Sequence, residues 1–220
     1  NTPANRIRRS KTVNRRRFLL AATALLVTGK TFSAPDMTSP TNQAEASLQS
    51  LAKPYHAIGH FKSDAERVYM FISFDCPYCA NTWAGYAQWG RTLPQPFRFV
   101  LVPIVGTQKH NAAATAFYVV RQLAPGRLNE FIRLVYAMHS TKTNINATDY
   151  IRLLQRMGFT KQQIDSSLAA DITQQRLARA ILLMRRYRVT MTPTFGVAGR
   201  YSTHAGFTNG DYGMLKQLLD

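Results

Sequence analysis

The periodicity of this chain changes twice along its length, and those changes limit the folds open to it. Residues 67–74 (RVYMFISF) and 97–105 (FRFVLVPIV) are short runs of β-branched and aromatic residues, the pattern of buried strands. Over 107–188 the apolar residues recur instead at helical spacing. Ala113, Ala116, Phe117 and Val120 stand at 0, 3, 4 and 7, and three more sets repeat the pattern: Phe131, Leu134, Val135, Met138; Tyr150, Leu153, Leu154, Met157; and Leu177, Ala180, Ile181, Met184. Thr160 with Gln163 makes a capping box, and Phe159 and Ile164 stand where a hydrophobic staple would clasp it. Strand character returns at 194–198, with a Gly199-Arg200 turn before Tyr201, and 214–219 closes the chain as a helix. Residues 55–61 read as a weak strand and 80–91 as a helix. The expected architecture is an α/β sheet interrupted by a helical insertion the size of a small domain. Its divisions are a sheet domain over 55–106 and 190–220, an insertion over 107–189, and a polar linker over 35–54.

Charge separates the first 34 residues from the rest. The chain of 220 residues carries 28 Lys and Arg against 11 Asp and Glu, a net +17. Eight of those bases, and no acid, lie in 1–34, so the remainder holds 20 bases against 11 acids, or +9. After Arg15-Arg16-Arg17 comes FLLAATALLV, about half of what spans a bilayer. A basic start, a short apolar run and then small residues describe an export signal over 1–34, of the Sec or twin-arginine kind. The expected compartment is the periplasm, with no stable membrane insertion once the signal is removed. Elsewhere the bases are dispersed and no nucleic-acid-binding motif occurs, so no nucleic acid is expected as a partner.

The chain has two cysteines, in Cys76-Pro77-Tyr78-Cys79. As a structural disulfide the pair would close a four-residue loop, stabilising by only about 1.9 kcal/mol in the chain-entropy model. As a zinc site it supplies two of four ligands, and His56 with His60 is an irregular second pair. A redox dithiol fits better. A strand runs into the motif and a helix leaves it, so Cys76 stands where unpaired N–H groups and the helix dipole favour a thiolate. Pro77 suits the first turn, where no N–H is needed. Cys79, one turn on, is placed to attack a mixed disulfide formed by Cys76. The expected catalytic pair is therefore Cys76 as nucleophile and Cys79 as resolving thiol.

FISFDCPYCANTW, followed far downstream by VTMTPTFGVAGRY, resembles the DsbA-like branch of the thioredoxin superfamily, from about Tyr55 to Asp220. The resemblance implies a thioredoxin fold with an inserted all-helical domain. It implies a cis Pro193, with Thr192 and Pro193 beside Cys76 offering backbone groups to a substrate strand. It implies an exported thiol:disulfide oxidoreductase acting on unfolded or folding cysteine-containing proteins, an oxidase of protein thiols before a reductase, isomerase or peptide-binding chaperone. No cofactor and no metal are implied. A membrane protein would reoxidise it, and we expect a monomer. One departure matters. Strongly oxidising members resemble C-P-H-C, whereas Tyr78 cannot carry a positive charge near neutral pH. Asp75, if ionised, also opposes a thiolate on Cys76. Both features point to a higher Cys76 pKa and a milder oxidant than a C-P-H-C enzyme.

The remaining candidates receive plainer readings. Trp83 and Trp89 are expected in the core and Tyr78 in solvent. Gln108, Lys109 and His110 could rim the substrate groove but read first as solvated capping residues, and Arg185-Arg186-Tyr187-Arg188 reads as a solvated helix end. His139 and His204 have no partner that the sequence identifies.

Overall fold

The computed structural model describes residues 53–220, so the export signal and most of the linker lie outside the described residues. Five strands, β1 (His56–Ala57), β2 (Arg67–Ile72), β3 (Arg98–Pro103), β4 (Thr194–Val197) and β5 (Tyr201–His204), form one sheet in the order β1-β5-β4-β2-β3. β2 runs parallel to β3 and antiparallel to β4, and β5 joins β4 and β1 antiparallel. Among the described residues seven α-helices accompany them: α1 (Pro77–Trp89), α2 (Gln108–Leu123), α3 (Leu128–Thr141), α4 (Ala147–Arg156), α5 (Lys161–Ala169), α6 (Asp171–Arg186) and α7 (Tyr212–Leu219). This is a thioredoxin fold with a helical insertion, α2 to α6, between β3 and β4.

β2 has no polar face because both faces of the sheet are covered. Val68 to Ile72 are all buried. On one face Met70 pairs with Phe195 of β4, and α1 lies over them, with the Tyr86 ring 4.5 Å from that of Phe195. α7 joins α1 there: the Tyr86 hydroxyl donates to the Tyr212 carbonyl, and the Trp89 indole to Asp220. On the other face Tyr69 and Phe71 meet the ring of Tyr187, just beyond α6. Gly196, opposite Tyr69, is required there, since a Cβ would fall inside the Tyr187 ring.

Local signals set the helix starts. α5 has the expected Thr160–Gln163 capping box, and α4 has another, Asn146–Asp149, that the sequence reading passed over. Phe159 and Ile164 are both buried beside Thr160. The apolar stripes face inward; on α6 Ala180 is buried and Leu177 and Met184 pack half-buried against the core, while Ile181 is half-exposed and Thr173 and Leu183, outside the stripe, are buried. The helix is turned by its packing on the sheet and on α2. The weak strand at 55–61 shrinks to two residues, because Gly59 adopts φ +121 just after it. The motif helix begins at Pro77 rather than 80.

The helix end at 185–188 is corrected at two of its four residues, since Arg185 and Arg188 are exposed as expected. Arg186 reaches the buried Asp64 carboxylate, which Arg179 also holds at 3.1 Å, and Tyr187 is wholly buried. The four-residue string looks charged and solvated, but α6 ends against β2, where an acid waits inside the fold.

Candidate active site

β2 ends at Ile72, and three residues carry the chain to Cys76, the N-cap of α1. A helix start needs acceptors for its first N–H groups. Here the acceptor is sulfur: the Cys79 N–H donates to Cys76 Sγ at 3.3 Å. Pro77 sits in the first turn without wasting a donor. The Cys76 thiol donates to the Thr192 carbonyl at 3.2 Å, and the Thr192–Pro193 peptide bond is cis. Thus the Cys79 N–H and the Thr192 carbonyl, the latter 116 positions away in the chain, converge on the Cys76 sulfur.

The two sulfurs differ sharply. Cys76 is partly exposed and Cys79 is 0% exposed. The hydrogen bond from the Cys79 side chain, with the N–H groups of Cys79 and Tyr78 and against the effect of burial, pulls Cys76 down from 9.0 to about 6. The same bond, together with burial and the Cys76 charge, pushes the Cys79 thiol far above its ordinary value. Tyr78 is 59% exposed, its ring stacked on Tyr212 at 5.5 Å. Trp83 and Trp89 are buried.

Asp75 does not oppose the thiolate in the way its sequence position suggests. Burial works against its charge, but hydrogen bonds from Ser73 and Lys109 and the charges of Lys109 and His110 hold its carboxyl well below the usual range. Lys109 Nζ lies 3.0 Å and His110 Nε2 3.5 Å from Asp75 Oδ2. The negative charge beside Cys76 is thereby met by a cation, and Cys76 stays below its ordinary value.

Two hollows flank the sulfur. One of about 390 Å³ is lined by Cys76, Pro77, Lys109, Tyr136 and His139; the other, about 280 Å³, by Met184, Thr190, Met191 and Thr192. Tyr136 closes the floor, donating to the Ser73 carbonyl and packing on Phe74. His139 Nε2 lies 2.9 Å from the Tyr150 hydroxyl, and burial, then the charge of Lys109, lower its pKa. Among the described residues no group of three His, Cys, Asp or Glu could hold a metal ion, and no helix is long and apolar enough to cross a membrane.

A family model described as thioredoxin matches residues 52–209. The chain belongs to the thioredoxin family. No curated protein matches it in sequence. Among solved structures this thioredoxin-family chain is similar to DsbA from Pseudomonas aeruginosa, at 22% identity and TM-score 0.65, covering 76% of this chain and 88% of that one. It is similar to the oxidoreductase DsbA from Xylella fastidiosa, at 20% identity and TM-score 0.61, covering 76% and 97%. A Proteus mirabilis DsbA with a non-covalently bound peptide gives 15% and 0.59, covering 71% and 85%. At these identities the likeness is one of fold.

The sequence favoured solvated caps over a groove rim for Lys109 and His110 and gave His139 no partner; all three belong to the neighbourhood of Cys76. The N-cap of α2 is Thr107, whose hydroxyl accepts from the His110 N–H. A signal for them existed. β2 and β3 are parallel, so the residues just past each strand share one end of the sheet. Asp75 follows β2 and Lys109 follows β3, which puts opposite charges at one end. His204 accepts from the Gly206 N–H and stacks on Phe207.

Proposed function

We propose that this is an exported thiol:disulfide oxidoreductase that oxidises the thiols of other proteins through Cys76 and Cys79. The observation that carries the reading is the inequality of the two sulfurs: one partly exposed and acidic, the other buried and held as a thiol. In the oxidised form a client thiolate attacks Cys76 Sγ. The Cys76–Cys79 bond breaks, and its electron pair goes to Cys79, which takes a proton. A second client thiolate then attacks the client sulfur of the mixed disulfide. A client disulfide forms, and Cys76 leaves as a thiolate. Two electrons have passed from the client to the cysteine pair. A low Cys76 pKa makes it a good leaving group, and a protonated Cys79 is slow to reclaim the mixed disulfide.

Thr192 and Pro193 are the proposed substrate-binding residues, presenting backbone to an extended client beside the sulfur. The peptide-bound DsbA of similar fold supports this. Clients are unfolded or folding cysteine-containing proteins. The chemistry needs no organic cofactor; a membrane redox partner restores the disulfide. The basic, then apolar, start of the chain supports export to the periplasm. Tyr78 in the C-P-Y-C motif favours a second reading on the same site, a reductase or isomerase, since it supplies no positive charge to the thiolate.

The test is oxidation of a two-cysteine peptide by the purified, oxidised protein. Cys76→Ala abolishes turnover, and Cys79→Ala, mixed instead with the disulfide form of the peptide, accumulates the mixed disulfide at Cys76 as one peptide sulfur leaves as a thiol. If Cys76→Ala retains turnover, or restores all function in a disulfide-deficient host, the enzyme reading fails. Alkylation trapping in cells sets direction: a resting disulfide means oxidase, a resting dithiol reductase or isomerase.

A further inference from the structure

At the other end of the sheet, five arginines line a cleft of about 520 Å³: Arg67, Arg98, Arg121, Arg176 and Arg179. Arg67 and Arg98 begin β2 and β3 and face each other across the parallel pair. Arg121 comes from α2, and Arg176 and Arg179 stand one turn apart on α6. No acid lines the cleft. Arg179 is engaged by Asp64 and the Tyr69 hydroxyl. The other four form no ion pair among the described residues.

This arrangement is unfavourable as it stands. Like charges opposite one another on neighbouring strands repel. Arg176 Nη1 is buried with no hydrogen-bond partner, and an unsatisfied buried donor forfeits its hydration without return. Burial, and then the charge of Arg121, push Arg176 below its ordinary pKa. A bound anion would satisfy the orphan N–H and offset the repulsion together. The walls between the arginines are apolar and aromatic, including Phe99, Val100 and Leu183, with Tyr118.

We propose that this cleft binds an organic anion carrying a phosphate monoester, its head held by Arg121 and Arg176 and its body lying on Phe99 and Leu183. A dianion with three acceptor oxygens suits several guanidinium forks at once, better than one carboxylate. The volume falls within the usual range for small-molecule sites. The site is distinct from the dithiol. Arg67 opens β2 and Cys76 follows its far end, and a six-residue strand is about 20 Å long.

The test is calorimetric titration of the purified protein with phenyl phosphate at ionic strength fixed with sodium chloride, beside sedimentation with phosphatidylcholine vesicles containing phosphatidic acid. Saturable binding is expected, weakened roughly tenfold for each guanidinium removed in the Arg121→Gln, Arg176→Gln double variant. The thermal midpoint of that variant in chloride establishes that it is folded. Arg121→Gln alone, at a half-buried position on α2, serves as the milder variant if it is not. Binding of phenyl phosphate identifies a soluble ligand. Vesicle binding alone, lost in the variant, identifies a phosphate-bearing lipid. No saturable binding of either probe, or binding that the variants retain, overturns the proposal.

Discussion

Replacing Tyr78 by His is the most informative single change in this molecule. Tyr78 lies in the first turn of α1, 59% exposed, between the two cysteines. The substitution gives up the stack on Tyr212 but disturbs no core contact. Its effect should appear in the redox potential. At pH 7 a Cys76 pKa of about 6 gives roughly a tenfold excess of thiolate over thiol, whereas about 3.5, the value for DsbA, gives roughly three-thousandfold. The ratio, near 300, is about 2.5 decades, or about 75 mV for a two-electron couple at ~30 mV per decade. Thiolate stabilises the reduced form, so a lower pKa means a more oxidising couple. The protein is therefore expected near −195 mV, about 75 mV below the DsbA value of about −120 mV. Tyr78→His should move it upward, by as much as that difference, with a matching fall in the pH midpoint of Cys76 alkylation. Equilibration with glutathione buffers measures the first and iodoacetamide rates the second. A wild-type potential at about −120 mV, or a potential that Tyr78→His leaves unmoved, refutes the argument that the missing cation sets the couple.

Other perturbations follow from the same structure. The Cys76 pKa falls on folding, from 9.0 to about 6, so the folded reduced state binds fewer protons than the unfolded chain between those values. Reduced protein should gain stability over Cys76→Ala as pH rises from about 6 to 9, and lose it as pH falls through 6, in denaturant titrations run at each pH. Lys109→Met strips Asp75 of its close cation and should raise the alkylation midpoint of Cys76; an unchanged midpoint would mean the carboxylate does not reach the sulfur. Asp64→Asn breaks a wholly buried acid from two arginines and the Tyr69 hydroxyl. It should cost roughly 3 kcal/mol, the low end for a buried pair because Arg179 reaches solvent. Gly196→Ala drives a methyl into the Tyr187 ring and should cost about 1–3 kcal/mol in chemical denaturation while leaving the Cys76 midpoint in place.

Much of the fold was legible because its signals are local. The runs around Met70 and Val102 mark buried strands, and the stripes at Phe117, Val135 and Leu153 mark helices, since each follows from the periodicity of its own element. The Thr160 capping box needs only four consecutive residues. The stripe on α6 was legible only in part, since Thr173 and Leu183 outside it are buried too, and the helix's rotation answers to the sheet and to α2. Tyr187 was read as solvated because nothing near it in the chain announces Gly196, which leaves the space its ring fills.

The sequence by itself determined the order of strands and helices, and the placement of two thiols at a helix start, where the backbone favours one of them as a thiolate. Tertiary structure alone decided how the charges meet. Parallel pairing of β2 and β3 brings Lys109 from the head of α2 onto Asp75, so an acid beside Cys76 need not oppose its ionisation. The same pairing sets Arg67 against Arg98 at the other end of the sheet, and α6 then folds Arg176 over them. Electrostatic effects depend on distance through space, and residues far apart in the chain acquire such distances only when the sheet forms.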